Sequence, residues 1–293
     1  MSGAALPAPA RGWVWHPAAM TTIAVLGAGK IGEALLSGLI KAGHSPDELM
    51  FTERYPQRAT QLERTYQVRA VDTATAARKA QVLVVAVKPQ DIDPLLAELS
   101  SLVNPDTLVV SLCAGLPTAL YERHLPPRVP VVRVMPNTPM LVGEAMSAIS
   151  AGRFATEEHL RITEELLGSV GKVVRVPESQ QDAVTALSGS GPAYFFYLVE
   201  AMIDAGILLG LPRPLVTELI TQSAVGAARM LRETGDHPVL LREAVTSPGG
   251  TTIMAIRELE RHGVRAALLA AIEAARNRSA ELGLAHRDCE HHA

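Results

Sequence analysis

Seven residues, Thr246-Ser247-Pro248-Gly249-Gly250-Thr251-Thr252, stand between two helical patterns in the apolar C-terminal half of a 293-residue chain. The paired glycines let backbone approach a ligand closely, and the paired threonines open a helix read over Ile253 to His262. The first N–H groups of that helix have no acceptor within it, so its start favours an anion the size of a small carboxylate. The plainer reading of the same stretch is an ordinary capping loop with Ser or Thr as the cap.

A second chemical feature lies near the other end. The β-branched run Thr22 to Leu26 is followed at once by Gly27-Ala28-Gly29-Lys30-Ile31-Gly32 and then by a helical pattern carrying Leu35, Leu36, Leu39 and Ile40. In this succession of strand, glycine turn and helix, Gly27 makes the turn, Gly29 admits a pyrophosphate to the backbone, and Gly32 lets helix pack on strand. This is a dinucleotide site. Further strand-like runs follow at Leu49 to Glu53, Val82 to Val87, Thr107 to Leu112 and Val131 to Met135, mostly separated by helical segments. The near-continuous Val and Leu of Val82 to Val87 is the mark of a strand covered on both faces, so the sheet is expected to be mostly parallel.

Ligands of such sheets bind at the carboxyl ends of the strands. The residues there are Thr52-Glu53-Arg54, Ala86-Val87-Lys88-Pro89, Cys113-Ala114-Gly115 and Met135-Pro136-Asn137-Thr138-Pro139. With Gly27, Ala28, Gly29, Lys30, Ile31 and Gly32, the candidate cofactor-binding set is Thr52, Arg54, Ala86, Val87, Lys88, Pro89, Cys113, Ala114, Pro136 and Asn137. Glu53 would bind a ribose 2′-hydroxyl and repel a 2′-phosphate, whereas Arg54 and Arg58 suit the phosphate and stack on adenine. With Glu53 turned away, and Thr52 and Arg54 facing the ribose, NADP(H) is favoured and NAD(H) remains usable.

The elements that must position these groups divide the chain. Residues 20–176 read as a Rossmann-type α/β domain, with a last strand at Val173 to Val176. From 177 to 283 the reading is all-α, with helices over Glu178 to Leu187, Ala193 to Leu209, Arg213 to Glu233 and Val264 to Leu282. Tyr194 to Leu211 is apolar almost all round, and several helices of that kind imply cover from a second subunit. The expectation is an intertwined dimer or a larger assembly. Ser188-Gly189-Ser190-Gly191-Pro192-Ala193-Tyr194 interrupts two of these helices and reads as either a flexible kink or a lining of the substrate pocket.

Composition narrows the class. The net charge of −3, without a basic stripe, gives no electrostatic case for nucleic acid or an anionic membrane. No segment is continuously apolar over the roughly 18 residues a membrane helix needs. The two cysteines, Cys113 in an apolar run and Cys289 in a polar tail, point to a reducing, cytoplasmic setting. Residues 1–19 read as a disordered extension ahead of Met20, and 284–293 as a flexible tail whose His286, His291 and His292 are solvated rather than metal ligands.

The chain is short of conventional acids. None of its nine histidines lies in a motif, and its five lysines (30, 41, 79, 88 and 172) all precede the helical segments. A ketone reductase needs a placed acid, whereas a C=N nitrogen can arrive already protonated. These motifs in this order, from about Thr21 to Leu282, closely resemble pyrroline-5-carboxylate reductases; the segment Thr246–Thr252, followed by Ile256-Arg257-Glu258-Leu259-Glu260, is the most specific of them. The resemblance implies NAD(P)H-dependent reduction of 1-pyrroline-5-carboxylate to L-proline, the last step of proline synthesis. It implies that Ser247, Gly249, Gly250 and Thr251 bind the substrate carboxylate and that the Thr252 hydroxyl stands near the ring nitrogen as the catalytic group. It also implies dimers joined through the helical domain, assembling further into decamers. Glu53 and Thr73 depart from the usual family pattern. The rivals are a β-hydroxyacid dehydrogenase, which would need a lysine in the helical half, an NAD(P)-binding sensor, and a reductase of a six-membered cyclic imine.

Overall fold

A computed structural model describes residues 21–288. Strands β1 (Ile23–Leu26), β2 (Leu49–Thr52), β3 (Arg69–Ala70), β4 (Val82–Val85), β5 (Leu108–Ser111), β6 (Val131–Met135), β7 (Ala145–Ala151) and β8 (Gly171–Arg175) form one sheet. Their order is β3-β2-β1-β4-β5-β6-β7-β8, and only the β6–β7 pair is antiparallel. The winding reverses between β1 and β4, which makes the crevice above that pair the natural ligand site of the fold.

Both faces are covered, as the Val- and Leu-rich strands require. On one face α1 (Lys30–Lys41), α2 (Pro56–Tyr66) and α6 (Glu157–Gly168) bury Leu35, Leu36, Leu39, Leu62, Leu166 and Leu167 against Val25, Phe51, Val84 and Val110. On the other, α3 (Thr73–Lys79), α4 (Ile92–Leu99) and α5 (Thr118–His124) bury Ala76, Leu96, Leu99 and Tyr121 against Leu26, Leu83, Val85 and Val109. This is the α/β domain expected from the alternation. Strands β3 and β7 are additions to that expectation. The first is only two residues long, and the second, Ala-Met-Ser-Ala-Ile-Ser-Ala, is built of small residues with weak strand preference, held by pairing on both sides.

After β8 the chain turns helical. A 3-10 turn at Glu178–Gln180 leads into α7 (Gln181–Val184), a π turn at Thr185–Gly189 and α8 (Gly191–Leu208); α9 (Arg213–Thr234), α10 (Pro238–Ala244), α11 (Thr251–Arg261) and α12 (Val264–Asp288) follow. The helix read over Glu178 to Leu187 is thus three short pieces. Residues 284–288, read as tail from their polarity, continue α12. Met1 to Ala19 and Met20, together with Cys289, His291 and His292, lie outside the described residues.

The helical half buries almost nothing of its own. The single buried residue of α8 is Gly191 and that of α9 is Val216, while α10 and α11 have none. Phe195, Phe196 and Tyr197 are consecutive and about 70% exposed, and Leu208 and Leu209 are 88% and 81% exposed. Each such side chain left in water forgoes roughly 1.5–3 kcal/mol. The stretch Glu178–Leu208 is long and apolar enough, by length and composition, to cross a membrane. A second copy of the chain would provide the same cover in water. Light scattering at micromolar concentration should therefore give at least twice the 31.2 kDa chain mass, with a Tm that rises with protein concentration. A 31.2 kDa species with a concentration-independent Tm would contradict this.

Candidate active site

The carboxyl edge of the sheet is assembled strand by strand. The Gly27 N–H donates to both the carbonyl (3.2 Å) and the hydroxyl (3.1 Å) of Thr52, and the Ala28 N–H donates to the same carbonyl at 3.0 Å. Gly27 holds φ +93°, and a Cβ there would lie 3.1 Å from both the Ala86 carbonyl oxygen and Val87 Cγ1. The Ala86–Val87 loop is therefore seated on the glycine turn. Cys113 Sγ sits 3.4 Å from the Val87 carbonyl and ties the next loop to it. The cofactor candidates from β2, β1, β4 and β5 are thus brought side by side.

Gly29 and Gly32 are glycines for different reasons. A Cβ on Gly32 would fall on the Gly27 carbonyl oxygen, so the fold itself excludes one. A Cβ on Gly29 would meet nothing within 4 Å. Gly29 is also the N-cap of α1 with no side chain capping the helix, so the N–H groups of Lys30, Ile31 and Gly32 begin the helix without side-chain partners. An open cradle at an uncapped helix start fits a pyrophosphate. By contrast, α3 and α6 are capped by Asp72 and Thr156.

At the end of β2 the Glu53 carboxylate accepts from the Tyr55 N–H at 3.1 Å, folded back on its own chain. Arg58 is engaged by Glu33, which also accepts from the Tyr66 hydroxyl at 3.1 Å, so Arg58 is less available to a phosphate than the sequence suggests. Lys30, Arg54 and Lys88 are exposed. The Cys113 side chain is in the core. Burial pushes its thiol, and more strongly the Tyr121 hydroxyl beside it, above their ordinary pKa values. What Cys113 and Ala114 offer a ligand is backbone. Pro136 is buried, and the Asn137 amide is taken up by the protein itself. Its NH2 donates to the carbonyl (3.2 Å) and hydroxyl (3.3 Å) of Ser188, and its oxygen accepts from the Met146 N–H at 2.9 Å.

That contact places the glycine-serine stretch. Ser188 and Gly189 end the π turn, a distortion common at functional sites, and a Cβ on Gly189 would collide with Met135 Cε. Residues 188–191 thus form a wall on the end of β6 rather than a loose kink.

The loop Thr246–Thr252 is a tight glycine turn that opens α11. Gly249 holds φ +66°, the Gly250 N–H closes the turn on the Ser247 carbonyl at 3.1 Å, and a side chain at 250 would strike the Ser247 hydroxyl. Gly250 is the N-cap of α11 and no side chain caps the helix, so the capping-loop reading fails. The Gly250 N–H, read as a carboxylate donor, is instead held by Ser247. Ser247, Gly249 and Thr251 are exposed and Thr252 is half-buried. Among the described residues α11 packs on α12, and neither α10 nor α11 packs as an element on the sheet. Among the described residues no backbone hydrogen bond joins this loop to the glycine turn. Sequence reasoning also missed the polar row Ser111–Arg133–Ser150 under the site, whose signal was a lone arginine in the run Val131 to Met135.

Residues 178–282 match the family described as pyrroline-5-carboxylate reductase dimerisation, and residues 22–115 match NADP oxidoreductase, coenzyme F420-dependent. The chain is 46% identical over 286 residues to pyrroline-5-carboxylate reductase of Mycobacterium tuberculosis, covering 90% of this chain and 97% of that one. It is 47% identical over 268 residues to the same enzyme of Corynebacterium melassecola, covering 90% and 99%. The chain belongs to the pyrroline-5-carboxylate reductase family. Among solved structures, a pyrroline-5-carboxylate reductase from Coxiella burnetii superposes with a TM-score of 0.84 at 36% identity, over 90% of this chain and 99% of that one. Pyrroline carboxylate reductase of Plasmodium falciparum, solved with NADP bound, gives 0.82 at 28% identity over 90% and 98%. Membership fixes a nicotinamide cofactor and self-association through the helical half.

The two glycines of the turn separate ligand from fold. Gly29→Ala should leave Tm unchanged and weaken NADPH binding at least tenfold, whereas Gly32→Ala should lower Tm. Calorimetry with NADPH titration checks both; equal effects on Tm would refute the assignment of Gly29 to the cofactor.

Proposed function

We propose that the exposed loop Ser247–Thr252 of one chain closes over the carboxyl edge of the sheet of its partner, and that the imine is reduced between them. The enzyme reduces 1-pyrroline-5-carboxylate to L-proline. The observation that carries the geometry is the uncapped, glycine-led start of α11, left in solvent by a chain whose helices lack a core of their own.

In this reading the substrate carboxylate is held by the Ser247 hydroxyl and by the N–H groups of Gly249, Thr251 and Thr252. Gly250 contributes by its small size rather than its N–H. The Thr252 hydroxyl, on the first turn of α11, accepts from the protonated ring nitrogen and so fixes which carbon faces the nicotinamide. Bound NAD(P)H supplies a hydride to the imine carbon. The C=N electron pair then settles on nitrogen, and a secondary amine results without a further proton from the protein. The scarcity of placed acids therefore hinders the reaction little, and positioning carries most of the rate. The wall Ser188–Gly191 borders the space for the ring. Its snugness sets the choice of five- over six-membered imines, a difference of one methylene and ~1–3 kcal/mol.

The cofactor favoured is NADP(H), with NAD(H) usable. Support comes from Glu53, whose carboxylate is held by the Tyr55 N–H, and from Arg54, which is exposed and forms no ion pair among the described residues. Thr52 keeps its hydroxyl hydrogen for the ribose while accepting from Gly27. The same reading takes the enzyme to be cytoplasmic, given the free, buried Cys113, and gives the apolar stretch Glu178–Leu208 a partner chain rather than a membrane. Exposed apolar residues on every side of α8 support assembly beyond the dimer, to the decamer.

Replacing Thr252 by Ala should cut kcat/KM for 1-pyrroline-5-carboxylate by at least tenfold, equivalent to ~1.4 kcal/mol, with NADPH affinity intact. Full activity in that variant would remove Thr252 from the mechanism. Arg54→Ala should raise KM for NADPH several-fold and leave KM for NADH nearly unchanged; parallel steady-state kinetics with the two cofactors read this, and equal shifts would overturn the preference.

A further inference from the structure

Across an otherwise apolar sheet runs one polar row. Ser111 of β5, Arg133 of β6 and Ser150 of β7 are register partners and all are buried. Alternation puts them on the face covered by α5, and the first residues of the helical half settle on this row. Ser150 accepts from Gln181 Nε2 at 2.8 Å, and Gln181 is fully buried. The Ser111 hydroxyl donates to the Tyr121 hydroxyl at 2.6 Å. Arg133, with 7% of its side chain exposed, lies 3.5 Å from Glu178 Oε1 and 3.7 Å from Asp182 Oδ1.

Both carboxylates reach onward. Glu178 accepts from the N–H (2.7 Å) and the hydroxyl (2.9 Å) of Thr118, at the start of α5. Asp182 accepts from the hydroxyl of Ser279 at 2.7 Å, and Ser279 is a buried residue of α12. One turn further along α12, a Cβ on Gly283 would lie 2.8 Å from the Gly115 carbonyl, so α12 rests on the loop after β5. One buried cation thus joins the end of β6, the start of α5, the entry to the helical half and α12. Two residues beyond Arg133 is Met135, against which Gly189 packs, and Asn137 there holds Ser188.

We infer that Arg133 is a positioning residue for imine reduction: by holding Glu178 and Asp182 on β6 it fixes the wall Ser188–Gly191, while Ser279 of α12 steadies Asp182 from the other side. A buried arginine is an unfavourable way to hold two helices, since an apolar side chain fills such space without desolvating a charge. What it adds is a planar cation whose two terminal nitrogens lie toward two different carboxylates, at 3.5 and 3.7 Å, a charge placement that a lysine reproduces only in part. Without the cation, Glu178 and Asp182 face each other as like charges and the entry to the helical half shifts against β6. Arg133 touches neither the glycine turn nor Thr52, so the pyrophosphate and ribose contacts survive its loss.

The inference rests on the imine-reductase reading, so turnover of 1-pyrroline-5-carboxylate by the parent enzyme is measured first; its absence would sink that reading, and this one with it. With an active parent, Arg133→Met, Arg133→Lys and Ser279→Ala are compared by kcat, imine KM, NADPH dissociation constant and Tm. The expected result is a tenfold or larger loss of kcat/KM in Arg133→Met with NADPH affinity within twofold of the parent. Arg133→Lys should recover part of the loss, and Ser279→Ala should show a loss of two- to fivefold at unchanged Tm. Folded variants with parental kcat and KM would overturn the inference, as would a loss of activity that merely tracks loss of NADPH binding. If Arg133→Met does not fold, Ser279→Ala decides: parental kcat/KM in that variant refutes the role, and a selective loss upholds it.

Discussion

The helices beyond Pro177 are held up by contact rather than by a core. Within one chain, α8 and α9 pack on each other with Gly206 against Val216, but Val216 is the one large apolar side chain of α8 to α11 that this buries, and many others, Phe195, Phe196, Tyr197 and Leu208 among them, face outward. Hydrophobic burial is the main term that offsets chain entropy, so these helices reach a stable arrangement only against another copy. Stability of this half is then coupled to self-association. That constraint reaches the chemistry, because the loop Ser247–Thr252 sits in the exposed half of the molecule, whose apolar faces are left for a partner to cover.

The two helix starts proposed to bind charge are built alike. At Gly29 and at Gly250 a glycine takes the cap position and no side chain competes for the first N–H groups. A Ser or Asp at either place would satisfy the helix internally and stabilise it by about 1 kcal/mol, at the expense of the donors a ligand needs. The protein leaves that stabilisation unrealised at both ends of its substrate pair. Asp72, Thr156 and His237 cap α3, α6 and α10, whereas other starts such as those of α2, α5 and α9 also lack a side-chain cap, so what sets Gly29 and Gly250 apart is the glycine at the cap position.

Much of this was legible in the residues themselves. The turn Gly27–Gly32, the buried strands and the helix opening at Thr251 each follow from local pattern, where glycine placement and periodicity act within a few residues. What was not legible depends on partners distant in sequence. β7 is too poor in β-branched residues to announce itself, and it exists because β6 and β8 pair with it. Asn137 reads as a ligand contact at a strand end, yet its amide is consumed by Ser188 and Met146, which no spacing rule connects to it. Thr52 and Arg58 likewise have their hydrogen-bonding capacity partly taken, by Gly27 and Glu33, and Cys113 turns its side chain inward. A sequence shows which groups are available and leaves open which of them are already engaged.

The polar row Ser111–Arg133–Ser150 shows what such engagement achieves. An apolar seam between sheet and helical entry would be at least as stable, but apolar contacts are nearly indifferent to small sliding displacements, and hydride transfer is not. Arg133 stands between two carboxylates, one from the 3-10 turn that enters the helical half and one from α7, and each carboxylate holds a further element through a hydrogen bond from a hydroxyl. Displacement along the strand lengthens several of these contacts at once, so the register is defined sharply even if the net stabilisation is small. The row is the point of the sheet where accuracy of position matters more than tightness of packing, and it lies directly beneath the strand end that walls the site.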